Sequence, residues 1–145
     1  MTDLDEFDLN RFLKAQENYF PTALVELIRG QKKSHWVWYI FPQVSGLGSS
    51  HMAKKFAIRS KGEAIAYMNH HILGQRLRQC AAALIQHREK SIVSIMGYPD
   101  NLKLCSSMTL FSKITEDNAV FHQVLDIFYS GEKDLKTLNF LDENQ

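Results

Sequence analysis

The sequence is poor in the residues that announce most chemistries. Its 145 residues contain two cysteines, Cys80 and Cys105, enough for one disulfide at most. Both fall within apolar helical patterns, where a free thiol behaves as a small hydrophobe, and a cytoplasmic, reducing compartment suits them. There is no CxxC and no HExxH, and His35, His51, His87 and His122 show no ligand spacing with a carboxylate or thiol. Adjacent His70 and His71 would point about 100° apart on a helix, too far to chelate one ion readily. No metal and no cofactor is expected. Charge of one sign is scarce too: seventeen Lys and Arg against sixteen Asp and Glu leave a net +1. That balance provides no field for a nucleic acid or an anionic membrane. No apolar run reaches the roughly 18 residues a membrane span needs. The stretch from Met1 to Glu6 is acidic, opposite to the basic start of a secretory signal. Repeats, low-complexity tracts and Pro/Ser-rich linkers are also missing. One domain over residues 1–145 is expected, with an ordered core from about residue 7 to 141.

What the sequence does have is helical periodicity. Apolar residues make up 45% of the chain, enough for a sizeable core. Leu9, Phe12, Leu13, Gln16 and Phe20 recur at steps of three and four behind Asp8, which is placed to cap. Pro21 suits the first turn of a second helix, with Ala23, Leu24, Leu27 and Ile28 as its stripe and Gly30 just past its end. Ser60–Glu63 has capping-box spacing. Leu73, Leu77, Cys80, Ala81 and Leu84 make the cleanest stripe. Ser91, Asp100 and Asp134 are placed to cap later helices, and Gly97 and Gly131 to end them. The fold class expected is all-α, a single compact domain of seven to nine helices. The run from Trp36 to Phe41 favours a strand by propensity. It lacks polar alternation and has no partner strand, so a buried helix ending before Pro42 is preferred.

Three segments carry the candidate site. The first is His35-Trp36-Val37-Trp38-Tyr39-Ile40-Phe41. His35, Trp36 and Trp38 could enclose a flat ring such as a nucleobase; equally, the run could be core. The second is the loop Gln43 to Ser50. Gly46 and Gly48 let backbone amides approach a ligand, and Ser49, Ser50, Lys54 and Lys55 add donors for phosphate; equally, Ser49 or Ser50 could simply cap the next helix. The third begins at Asp100. Lys103, Ser106 and Ser107 share one helical face, suited to phosphate or to a lysine-activated hydroxyl, or to helix packing. Gln43, Asp100, Lys103 and Ser107 are the catalytic candidates.

The string from His35 to Gln43 followed by Gly46-Leu47-Gly48-Ser49-Ser50 resembles the bacterial family called domain of unknown function 1810, whose members are sometimes labelled calpastatin-like. Arg11-Phe12, Ala15-Gln16, Leu73-Gly74, Arg76-Leu77, and Gly97-Tyr98-Pro99-Asp100 through Phe111 fit in order, so the likeness runs from about Phe7 to Leu141. His71 and Gln75 stand where prolines are usual, and Cys105 where an arginine is usual. The resemblance implies an all-helical fold and no particular activity. More distantly, the layout is similar to the NAD- and ADP-ribose-associated (NADAR) hydrolases, through Leu73-Gly74-Gln75-Arg76 and the run from Met108 to Phe128. That family places a glutamate shortly before an Ala-Gln-like pair; here the position is about Asn10, which is neither acid nor base.

Two functional expectations follow. One is a hydrolase acting on a nucleotide or ADP-ribose-like ligand, cleaving an N-glycosidic bond. The other is a non-catalytic module that binds a nucleotide, another anion or a protein through the same pocket. The partner expected is a phosphate-bearing small molecule rather than a nucleic acid or a membrane, and the oligomeric state is open.

Overall fold

The computed structural model describes residues 5–143. Residues 144–145 and most of the acidic stretch from Met1 to Glu6 lie outside them. Nine helices are present among the described residues: α1 (Asn10–Arg29), α2 (Val37–Ile40), α3 (His51–Lys55), α4 (Lys61–Asn69), α5 (Leu73–Ile85), α6 (Ile92–Met96), α7 (Asp100–Ile114), α8 (Ala119–Tyr129) and α9 (Leu135–Glu143). The β-structure among these residues is a single parallel bridge between Val44 and Ile58. There Ser45 N–H donates to the Ile58 carbonyl and Ile58 N–H to that of Gln43, both at 2.9 Å.

Several boundaries follow from caps visible in the sequence. The hydroxyls of Ser50, Ser60 and Ser91 accept from the amides of Ala53, Glu63 and Ser94, opening α3, α4 and α6. Asp134 accepts from Thr137 N–H at the start of α9. Gly30, at φ 80°, ends α1, and Gln31 N–H reaches back to the Glu26 carbonyl.

Others differ from expectation. α1 is one helix, not two, and runs through Pro21. A proline deprives the carbonyl four residues earlier of its partner. Here that carbonyl belongs to Glu17, on a face exposed along with Pro21, so water can satisfy it. Asp8 does not cap α1. Asp5 does, its two carboxylate oxygens accepting from Leu9 and Asn10 amides at 2.7 and 2.9 Å. The capping box at Ser60 is half-formed, because the Glu63 carboxylate accepts from Arg59 N–H and from Arg11 instead. Asp100 is the first residue of α7 rather than its cap. Ser130, at φ 56°, closes α8 just before Gly131.

The aromatic run forms one helical turn, α2, lying against α1, α5 and α7. Around it, α5 packs on α1, α4 and α8, while α7 packs on α4, α6, α8 and α9. One apolar cluster joins them, with Phe12, Trp36, Phe41, Tyr67, Phe111 and Phe121 fully buried. Each such side chain contributes about 1.5–3 kcal/mol of burial. None of the described helices is long and apolar enough to cross a membrane.

Two polar devices cross this core. Arg11 donates to the carbonyls of Phe7, Asp8, Lys55 and Ala57 and to Glu63 Oε2 at 2.6 Å, which uses all its donors. Gln16 donates to the Tyr39 carbonyl and the Tyr67 hydroxyl, and accepts from Arg76. Arg11 ties α1 to α4 and Gln16 ties it to α2, α4 and α5.

The tightest backbone approach is at Gly74, where a Cβ would lie 2.1 Å from the Met68 carbonyl oxygen. Backbone cannot yield as a side chain tip does. Gly74→Ala should therefore cost about 3 kcal/mol and lower the thermal midpoint by about 6–12 °C. A calorimetric midpoint within about 2 °C of wild type, equivalent to less than about 1 kcal/mol, would show that α4 and α5 separate freely.

Candidate functional site

The site begins with a carboxylate that no sequence motif marks. Glu26 lies on the same face of α1 as Ala23, Leu27 and Gly30 and is buried. Its Oε1 accepts from Lys33 N–H at 2.8 Å, Ser34 N–H at 2.9 Å and Trp36 Nε1–H at 2.9 Å, and its Oε2 accepts from the Ser34 hydroxyl at 2.6 Å. Burial alone would raise its pKa. The hydrogen bonds, that of the Ser34 hydroxyl foremost, outweigh burial and hold it at about 2 instead of 4.5. Residues 33–36 are thereby folded against the C-terminal part of α1.

Trp36 is consequently core, not a stacking platform. It is fully buried, its N–H is committed to Glu26, and the Lys32 ammonium sits 5.0 Å from its ring centroid. Trp38, two residues on, is only partly buried and takes the other side of α2. Its ring lies 5.3 Å from Lys103 Nζ. Lys103 also meets Asp100 Oδ1 at 3.4 Å, while Lys32 meets Asp100 Oδ2 at 2.8 Å. Trp38, Gln43 and Lys103, the last far from the others in sequence, thus converge with Val37, Phe41, Ala53 and Phe56 on one small cavity of about 10 Å³. That is room for about one water molecule, and a nucleobase does not fit.

The remaining candidates are distributed elsewhere. Ser107 is fully buried, and the Ser106 hydroxyl donates back to the Leu102 carbonyl. Asp100 is held between two lysines, and Gln43 lines the small cavity. Gly46 adopts φ 91° at a turn on the surface. Gly48 is required for packing, since a Cβ there would lie 2.7 Å from that of Ala53. Ser50 is occupied as a cap and Ser49 is exposed. None of Gly46, Gly48, Ser49 and Ser50 lines this cavity or the larger cleft beyond α2. The two thiols stay protonated near neutrality, burial pushing Cys80 up to about 12 and Cys105 up to about 11. No three His, Cys, Asp or Glu side chains gather as metal ligands among the described residues.

The roomy depression lies on the opposite side of α2. It is an open cleft of about 610 Å³ lined by Ala15, Tyr19, Lys33, Ser34, His35, Tyr39, Met52, Lys55 and Phe56. Of the residues expected from the sequence to bind a ligand, it contains His35 and Lys55. Tyr19 is 51% exposed, with its ring centroid 6.1 Å from that of Tyr39. Burial pushes the Tyr39 hydroxyl up to about 12, so it remains a donor. A second lobe of about 420 Å³ shares Ala15, Lys55 and Phe56 and adds Asp8, Asn10, Arg11 and Lys14. Sequence reasoning misses Tyr19 because it sits outside the aromatic run. The available signal is an aromatic four residues from Ala15 on the solvent side of a helix, beside the Lys32-Lys33 and Lys54-Lys55 pairs.

Comparison with known proteins agrees with this architecture. The family described as "Protein of unknown function (DUF1810)" matches residues 6–141. The crystal structure of the conserved hypothetical protein Rv1873 from Mycobacterium tuberculosis superposes with a TM-score of 0.93 at 45% identity, covering 95% of this chain and 99% of that one. No curated protein matches.

Because Glu26 is depressed in the folded state, its contribution is full above pH 4.5 and fades as the pH falls towards 2. At about 1.4 kcal/mol per pKa unit, up to about 3 kcal/mol is lost over that window. Urea denaturation of wild type and Glu26→Gln should give stability curves that converge as the pH drops from about 5 to about 2, because the carboxylate protonates first in the unfolded chain and only near pH 2 in the folded one. A constant gap across that range would remove Glu26 as the source.

Proposed function

The chain belongs to the DUF1810 family, and from the site it presents we propose that it is a binding module for a small molecule carrying both a flat ring and a phosphate. The observation that carries this reading is the cleft itself. Its volume of about 610 Å³ falls within the roughly 300–1,000 Å³ usual for small-ligand sites. Tyr19 and His35 offer rings at an exposed surface, and Lys33 and Lys55 supply positive charge. An exposed aromatic beside lysines suits a nucleotide, whose base stacks while its phosphate takes charge-assisted hydrogen bonds.

Binding is favoured over glycosidic hydrolysis by the groups that line the cleft. Cleavage of that kind needs an acid or base, usually a carboxylate, beside the bond. None of the residues lining the main lobe is acidic. The adjoining lobe has Asp8, and at Asn10 an amide where the NADAR-like arrangement calls for a carboxylate. Asp100, held between Lys32 and Lys103, and Lys103 itself do not line the cleft.

Isothermal titration with AMP, ADP and inorganic phosphate tests the reading. Lys55→Met should weaken the best nucleotide about tenfold, one charge-assisted bond's worth, and Tyr19→Ala by a similar factor. Phosphate alone should bind more weakly and be indifferent to Tyr19→Ala. Equal affinity in wild type and both variants, or no heat with any nucleotide, would overturn it, whereas release of a free base on incubation would return the hydrolase.

A further inference from the structure

The small cavity on the Trp38 side of α2 has a chemistry separate from the cleft. Trp38 Nε1 is buried and has no hydrogen-bond partner among the described residues. A buried donor without an acceptor is costly, so this orphan needs an account. Trp38 lines the cavity together with Gln43 and with Lys103, whose ammonium is 5.3 Å from the indole ring centroid. The other lining residues, Val37, Phe41, Ala53 and Phe56, have apolar side chains. The nearest carboxylate, Asp100, is held closer by Lys32 at 2.8 Å than by Lys103 at 3.4 Å. Lys103 is therefore the less completely paired of the two cations.

An indole N–H can only donate, and so can an ammonium. A water molecule there can accept from both and donate to the Gln43 side-chain carbonyl, but it leaves the positive charge uncompensated. Lys32 and Lys103 share the single carboxylate of Asp100, and an anion both accepts from the donors and offsets the remaining charge. We propose that Trp38, Gln43 and Lys103 form a site for one anionic acceptor atom. That atom is a free halide or a single oxygen of a carboxylate or phosphate. The volume of about 10 Å³ limits the guest to one such atom. Indole and ammonium set the preference for negative charge, and the apolar wall of Phe41, Ala53 and Phe56 strips its hydration.

The two tryptophans make the test internally controlled. The Trp36 N–H is committed to Glu26 at 2.9 Å and should not respond. In 15N-labelled protein, the two indole resonances are assigned with Trp38→Phe and followed during separate titrations with sodium chloride, bromide, acetate and phosphate. The expected result is a saturable shift of the Trp38 resonance alone, abolished in Lys103→Met. Saturation with both halides identifies a free halide; saturation with acetate or phosphate but neither halide identifies an oxyanion oxygen. A Trp38 resonance that fails to saturate with all four salts overturns the site. So does one that saturates equally in Lys103→Met. The wild-type titration decides even if that variant does not fold, and nucleotide binding in the open cleft can succeed or fail independently of it.

Discussion

The geometry around α2 depends on one buried carboxylate. Glu26 accepts two backbone amides, a hydroxyl and an indole N–H, all from residues 33–36. Those contacts turn the chain back along α1 soon after Gly30 and deliver Trp36 into the core. A four-residue helix has too few internal hydrogen bonds to persist by itself, so α2 owes its conformation to these anchors. Gln16 provides the second, donating to the Tyr39 carbonyl near the end of the turn. Between them, two polar residues of α1 hold an aromatic segment that by propensity alone leans towards extended structure.

This arrangement explains how legible the chain is. Elements begun by a side-chain cap can be read directly, because Ser60, Ser91 and Asp134 act within three residues of themselves. Expectation fails where the partner is non-local or where solvent forgives a rule. Pro21 suggests a helix start, but an exposed Glu17 carbonyl removes much of the cost of an interior proline. Asp8 has the right position for a cap, yet Asp5 lies where it can reach two amides. Asp100 looks like a cap because its true partners, Lys32 and Lys103, include one from the far side of the sequence.

The candidate site shows the same division. Trp38, Gln43 and Lys103 each stand out in the sequence, and the fold brings them to one cavity. Trp36, adjacent in kind and position, goes to the core because its N–H meets Glu26. Composition cannot separate two tryptophans two residues apart; only the acceptor each finds does so. Lys55 stands out only through its place after the Gly-Ser loop, and Tyr19 and Lys33 lie far from that loop in sequence. They become a cleft only when α1, the segment before α2, and α3 are assembled.

Trp38 and Tyr39 are neighbours on a single helical turn, where successive side chains point about 100° apart. They therefore end on different sides of α2, Trp38 at the cavity and Tyr39 at the cleft. Phe56 borders both spaces. It is fixed there by rings on either hand, its centroid 5.6 Å from that of Phe12 and 5.2 Å from that of Tyr39. Those tilted ring contacts, continuous with the main core, form the wall between the small cavity and the open cleft. Merging the two spaces would cost the burial of Phe56, so under the proposed reading a ring-bearing ligand would use the cleft and a single anionic atom the cavity.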